Sequence, residues 1–457
     1  MTVAFTRRDA LNEPLDLAGI GIGPSNLSLA CLLESVPEVR SRFFERRGAF
    51  DWHPGMMMPG VELQSSFLKD LVTPVLPTSR WSFISYLVAH KRLYAFLNAN
   101  YEAVPRQEFA RYLAWVAKGV EGLRFSTEIR DVEHRDDRFV LRFDNGQEEA
   151  RNLVIGTGSS PFVPDWAKPF LGPDCFHNSE AKSRLKVLRA ARIIVVGGGQ
   201  SGGEVVEALL GNPDNMKELT WISRRHNFEP INDTPFSNQV FSPEYVQAYL
   251  KLGGEQKQAA LKNSILTSDG LSISTIHSIY RRLYALRYLE QSTLNASLSP
   301  NRDVIQMERN GNAYRLIVRN HFDGGIEVLH ADAVVLATGY RFRLPDALGS
   351  LSERISLDRN GYPTLNDDYT MQWTGPRTNR LFAQNAGRYS HGIADSQLSL
   401  MAWRSAKIVN TLLGRQHFDA EPDNAQLVWA TEAASAMSHQ LRAGHSDGML
   451  SSRNVRT

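Results

Sequence analysis

Arg192–Leu210 reads RIIVVGGGQSGGEVVEALL, and it decides the fold. An apolar run of strand length meets a glycine turn and then helical spacing, the layout of a dinucleotide-binding βα unit. Gly197-Gly198-Gly199-Gln200-Ser201-Gly202 fills the GxGxxG frame. The first glycine makes the tight turn, and the second lets backbone approach a pyrophosphate on the helix N-terminus. The next strand, LTWISRR, ends in Arg224 and Arg225 rather than an acid. A carboxylate there would repel a 2′-phosphate, whereas guanidinium groups bind it bidentately. NADPH is the expected ligand, the alternative being that both arginines are only solvated surface.

Almost two hundred residues precede this unit, and they hold another. In DLAGIGIGPSNLSLACLL (Asp16–Leu33), Gly21, Gly23, Pro24, Ser25 and Asn26 occupy the same frame. Asn26 stands where the third glycine is usual, which predicts slightly looser helix–strand packing. RSRFFERR follows as a second strand with Glu45 placed to hold ribose hydroxyls. Each turn also has a returning strand, NLVIGTGSSP (Asn152–Pro161) and DAVVLATGY (Asp332–Tyr340). Thr338, Gly339 and Tyr340 in the latter are assigned to the NADPH side. The expected architecture is therefore α/β, with two nested Rossmann-like dinucleotide-binding domains. FAD occupies the first (residues 1–178 and 341–430) and NADPH the second (179–340), so hydride passes between them. A small helical substrate-binding insertion is expected over 228–295, and a polar tail over 431–457, mobile from Ser435 onward. Within the insertion, HSIYRRLYALRYLEQ (His277–Gln291) has helical apolar spacing at Ile279, Leu283 and Leu286, followed by Leu289. Its arginines are expected on a solvated face.

Composition narrows the class. A net charge of +2 gives no reason to expect nucleic acid or an anionic membrane as partner. No apolar run approaches the roughly 18 residues needed to span a bilayer, and MTVAFTRRDALNEPLD lacks the apolar centre of a secretory signal. Cys31 and Cys175 form no CxxC pair and no Cys/His cluster, so no metal is expected and the setting is reducing cytoplasm. Without a redox cysteine pair, reduced flavin must pass its electrons elsewhere, and oxygen is the leading acceptor. The flavin-monooxygenase pattern FxGxxxHxxx(W/Y) begins at Phe170-Leu171-Gly172, but His177 arrives one place late.

FDWHPGM (Phe50–Met56), LQSSFLKDLVTP (Leu63–Pro74), VPRQEFARYLAWV (Val104–Val116), VVGGGQSGGE, DTPFSNQVFSPEY (Asp233–Tyr245), ATGY and HGIADSQLSLMAWRSAKI (His391–Ile408) are specific in combination. Together they resemble the microbial N-hydroxylating monooxygenases of siderophore biosynthesis, which hydroxylate the side-chain amine of lysine or ornithine, or one amine of a diamine. The resemblance runs from about Asp16 to Leu413; LTSDGLS (Leu266–Ser272) and HGIA lie nearer the lysine and diamine branch. It implies an enzyme in which NADPH reduces FAD and oxygen forms a C4a-hydroperoxyflavin attacked by the neutral amine. It also implies no acid/base residue, since the flavin carries the chemistry, and a homo-oligomer, dimer or tetramer.

The resemblance places Lys69 on the substrate and Gln64 beside flavin and substrate, with Trp52, His53 and Leu398 in the flavin pocket. Asn238 and Ser399 meet the substrate. Asn263 is carried to the substrate and NADP side, although Ser264 follows it where ornithine enzymes have tyrosine. Read without the resemblance, Lys69 is a surface lysine paired with Asp70, and the polar residues are satisfied loop residues. The expected substrate is a diamine, cadaverine or putrescine, on the strength of the LTSDG segment; L-lysine or L-ornithine is the alternative, and lysine would offer Lys69 a carboxylate. A monooxygenase acting on sulfur or a ketone, or a non-catalytic flavoprotein sensor, are the remaining readings.

Overall fold

The computed structural model describes residues 13–213, 216–421 and 426–429. The expected mobile tail and most of the N-terminal stretch read for a signal lie outside them.

β1 (Leu15–Ile20) enters α1 (Pro24–Leu33) through the first glycine turn, and β2 (Ser41–Phe44) returns parallel to β1. Three helices follow: α2 (Phe83–Ala89), α3 (Leu93–Ala99) and α4 (Arg106–Gly119). β3 (Leu123–Arg124) then extends the β2 edge. β4 (Asp131–Arg135), β5 (Arg138–Phe143) and β6 (Gly146–Ile155) form an antiparallel meander. The end of β6 lies parallel to β1, giving the order β3-β2-β1-β6-β5-β4. The meander was not anticipated. Its signal is Asp136-Asp137, both at positive φ, which make a two-residue hairpin turn between β4 and β5.

β7 (Ser159–Pro161), β8 (Cys175–His177) and α5 (Ala181–Val187) lead to the second unit, β9 (Arg192–Val196), α6 (Gln200–Leu210) and β10 (Glu218–Ile222). Four helices follow: α7 (Pro243–Leu250), α8 (Gly254–Asn263), α9 (Ile265–Asp269) and α10 (Ile273–Tyr284). β11 (Asn295–Ser299) then joins β10, and β12 (Arg302–Asn310), β13 (Ala313–Asn320) and β14 (Ile326–Ala331) make an antiparallel sheet. β15 (Ala333–Leu336) completes a parallel sheet of order β11-β10-β9-β15-β8. Side-chain alternation explains its continuous apolar runs. Ile193 and Val195 share one core with Val205 and Val206 of α6 and Ile279 of α10. Ile194, Val334 and Leu336 share another with Val304, Leu316 and Val318 of the antiparallel sheet. A strand covered on both faces has no polar side to show.

β16 (Tyr340–Phe342) pairs with β7, β17 (Leu381–Ala383) joins β6, and α11 (Met401–Leu413) packs on α1. Within the stretch expected as a substrate insertion, α10 packs on α6 as the crossover helix of the second sheet. The apolar phase read for it fails at one position. Ile279 and Leu286 are buried, but Leu289 is exposed, because a π-turn over Ala285–Leu289 widens the helix and rotates it out of phase. The arginines also divide: Arg281 and Arg287 are exposed, whereas Arg282 donates from Nε to the Leu210 carbonyl that ends α6 (3.0 Å).

Candidate functional site

Both glycine turns are built for an anion. Gly21 and Gly197 take positive φ (86° and 127°), and Gly23 and Gly199 cap α1 and α6 in extended conformation with no side-chain cap. The helix-start N–H groups of such turns are anion donors. Pro24 sits in the first turn of α1, where its missing N–H costs nothing. Each turn must also satisfy the carbonyl of its first glycine. Asn26 Nδ2 donates to Gly21 O (2.8 Å) and to Ile20 O (3.3 Å), and Asn26 Oδ1 accepts from Gln384 Nε2 (2.8 Å). The looser packing expected from Asn26 is therefore corrected: its side chain is fully buried and bonded on both ends. At the second turn Trp221 Nε1 donates to Gly197 O (2.8 Å). Gly202 makes room for this, since a Cβ there would lie 2.0 Å from that oxygen.

Glu45 reaches back to the first turn, accepting from Ile22 N through Oε2 (3.1 Å). Arg225 is anchored on the Asp269 carbonyl (2.7 Å), which leaves the exposed Arg224 as the freer guanidinium for a phosphate. Ser201 is half-buried at the start of α6. Gln200 is occupied elsewhere: Nε2 donates to Glu204 Oε1 (3.2 Å) and Thr275 Oγ1 (3.1 Å), and Oε1 accepts from Ser272 N (2.7 Å). It ties α6 to the start of α10.

The two folds meet around Tyr340. Its ring lies between His177 (centroids 5.0 Å apart) and His53 (6.1 Å), and Trp52 stands edge-on to His53 (5.3 Å). Gly339 O accepts from Phe162 N (2.9 Å), and Thr338 Oγ1 donates to Phe162 O. The ATGY turn is thus fixed to the connection between the folds. His177 Nδ1 accepts from Ser179 N (3.1 Å), so Nε2 carries the proton and donates to Gly339 O (3.0 Å). Burial pulls the His177 pKa down to about 4, and the ring is neutral at pH 7. His53, open to the cleft on one side but crowded by protein and by Arg106 and Arg47 on the others, is lowered in the same direction. Beside them Arg106 of α4 grips Glu204 of α6 with Nη2–Oε1 at 2.8 Å and Nη1–Oε2 at 3.2 Å. Glu204 is nearly inaccessible, so this ion pair welds one fold to the other. Sequence reading missed the pair, although both residues stand in quoted motifs.

Lys69 is half-buried, and Asp70 is not its partner. Asp70 is buried and accepts from Val72 N (2.9 Å), Thr73 N (2.7 Å) and Phe83 N (2.6 Å), knotting its own loop. Burial lowers the Lys69 pKa, with Asp233 pulling the other way. Asp233, also missed from sequence, accepts from Asn238 Nδ2 (2.6 Å). The structure therefore gathers Lys69 with Asp233 and Asn238. Gln64 is exposed two residues beyond Glu62, and Asn263 is exposed at the end of α8. Leu398 and Ser399 are half-buried in a single turn ahead of α11.

Among the described residues no cluster of three metal-ligating side chains occurs, and no helix is long and apolar enough to cross a membrane. Cys31 and Cys175 are free, buried and in separate cores. Two glycine turns of the dinucleotide type, in two folds that meet around Tyr340, define a two-dinucleotide oxidoreductase.

Comparison with known proteins narrows the class. The profile of the family described as L-lysine 6-monooxygenase/L-ornithine 5-monooxygenase matches residues 13–342, and the chain belongs to that family. It is 39% identical to the L-lysine N6-monooxygenase of Escherichia coli, over 92% of this chain and 99% of that protein. The putrescine N-hydroxylase of Acinetobacter baumannii is 31% identical, over 89% and 91% of the two chains. Among solved structures, the FAD-bound cadaverine monooxygenase DfoA of Erwinia amylovora superposes with a TM-score of 0.86 at 28% identity, covering 92% of this chain and all of that one. The chain is thus an enzyme of the flavin-dependent N-monooxygenase type.

Proposed function

We propose that the protein N-hydroxylates the side-chain amine of L-lysine, with FAD at the first turn, NADPH at the second and O2 as oxidant. One oxygen atom enters the N–H bond and the other leaves as water, with NADPH supplying the electron pair. The observation that carries the choice of substrate is Lys69. A half-buried ammonium with no carboxylate at ion-pair distance among the described residues calls for an anionic ligand, which an α-carboxylate provides. The identity to a lysine enzyme supports the same reading. A diamine is the second reading, favoured by Asp233, whose carboxylate suits a distal ammonium, and by the likeness to DfoA.

Bound FAD, once reduced by NADPH, supplies the oxygen-activating chemistry. The protein's part is geometry. Lys69 and Asn238 hold the polar end of the substrate, directing its amine inward. The amine arrives mostly protonated, with a reference pKa of about 10.4, and desolvation favours the neutral nucleophile. His177 and His53, both neutral at pH 7, keep acidic protons out of the junction. Arg106 and Glu204 hold the two folds at a fixed approach. The proposal extends to hydroxamate siderophore assembly and to a cytoplasmic dimer or tetramer, which light scattering would size.

The test is hydroxylamine product measured against NADPH consumed for lysine, ornithine, cadaverine and putrescine separately. Lysine is expected to lead. Product from diamines with lysine silent would select the second reading, and NADPH consumption without hydroxylamine from any of the four would remove both.

A further inference from the structure

We infer that Arg404 of α11, which touches no ligand, is a positioning residue that fixes the hydroxyl of Ser25 as a hydrogen-bond donor to the FAD diphosphate. The inference rests on FAD occupying the first turn. Arg404 has no exposed surface, and its partner Asp395 is 1% exposed. A buried charge pair of this kind is retained only where each polar atom is bonded. Nη1 donates to Asp395 Oδ1 (2.8 Å) and also to the Asp395 carbonyl. Nε donates to Gln384 Oε1 (3.2 Å), and Nη2 donates to Asn385 Oδ1 (3.2 Å) and Ser25 Oγ (3.1 Å).

The last contact has a chemical consequence. A guanidinium can only donate, so Ser25 Oγ must accept from Arg404. The Ser25 hydroxyl proton is then left for another acceptor, and among the described residues Ser25 Oγ donates to none. Ser25 is the second residue of α1, directly after the glycine N-cap and Pro24, where a diphosphate oxygen would sit. Gln384 carries the same support to the rest of the turn. Its Oε1 accepts from Arg404 while its Nε2 donates to Asn26, which in turn holds the Gly21 carbonyl. Asp395 completes the frame by accepting from Gly387 N (2.6 Å) through Oδ2. One buried guanidinium thereby sets the orientation of three residues in or behind the first turn.

The experiment is titration of the full-length chain with FAD by flavin fluorescence, alongside calorimetric titration with NADP⁺. Wild type, Arg404→Lys, Ser25→Ala and the double variant are compared. Lysine keeps the charge beside Asp395 but lacks the fork that reaches Ser25, Asn385 and Gln384 together. Arg404→Lys and Ser25→Ala are each expected to weaken FAD binding by about tenfold or more, with NADP⁺ affinity unchanged. Because Arg404 acts through Ser25, adding Arg404→Lys to Ser25→Ala should weaken FAD binding further by much less than it does in wild type. Multiplying losses in the double variant would overturn the inference, as would unchanged FAD affinity in Ser25→Ala, a variant that tests it even if Arg404→Lys does not fold. A wild-type chain that binds no FAD would sink the functional reading as well. FAD bound equally by wild type and variants would sink only this one.

Discussion

The two glycine turns share a motif and face the same problem, a buried carbonyl at the first glycine that strand and helix leave unbonded. The first turn answers it locally: Asn26, in the frame's own third position, folds its amide back onto Gly21 O. The second answers it from the neighbouring strand, with the Trp221 indole reaching Gly197 O past a glycine at the third position. The third residue of the frame is thus not a free choice between small and polar. It is set by which element supplies the donor. The first solution draws Gln384, Arg404 and Asp395 of the C-terminal segment behind that carbonyl; in the second the carbonyl's donor comes from β10, while Gln200 ties the turn to the start of α10.

That contrast breaks most visibly if the first turn is rewritten as the second. Asn26→Gly completes the motif on paper but leaves Gly21 O and Gln384 Nε2 unpaired in a buried site. The expected cost is about 2–4 kcal/mol in urea unfolding; a variant as stable as wild type would mean the amide is dispensable.

Acid should act at two places, the junction where His177 meets Tyr340 and the C-terminal segment where His391 stacks on Tyr369. His177 and His391 are buried and held neutral, each with a pKa lowered to about 4. The folded state therefore binds fewer protons than the unfolded one between pH 6.5 and 4, so stability is full above that window and falls as pH falls through it. For His177 the loss between pH 7 and pH 5 is about 2 kcal/mol. His177→Gln should flatten the pH slope by roughly that amount, leaving the shares of His391 and His53, and an unchanged slope would contradict the assignment.

Trp221→Phe removes the donor to Gly197 O while keeping an aromatic ring. It is expected to cost about 1–2 kcal/mol and to weaken NADP⁺ while sparing FAD, and equal losses for both ligands would erase the distinction between the turns. Arg224→Ala is expected to change least, lowering the preference for NADPH over NADH by about tenfold in kcat/KM, with Arg225, anchored on Asp269, mattering less.

What was legible in the sequence is what is local. Both turns, the apolar strands around them and the Lys69 segment are continuous stretches with a short-range pattern. Arg106 and Glu204 are 98 positions apart, and each alone reads as a surface charge on a helix. Asp233 gains its meaning from Lys69 across the cleft, and Asn26 from Gln384, 358 positions away. No periodicity announces such pairs. The misplaced Leu289 has a different cause, a π-turn whose wider spacing no regular helical repeat anticipates.

The central claim is that Lys69 reads a carboxylate and so makes lysine the substrate. The most direct measurement is competition: lysine and cadaverine at equal concentration in one vessel with NADPH and O2, both hydroxylamines quantified, for wild type and Lys69→Met. The expected result is N6-hydroxylysine in excess with wild type, and a ratio lower by about a hundredfold with Lys69→Met. Hydroxylated cadaverine in excess with wild type, or a ratio that Lys69→Met leaves unchanged, would contradict the account.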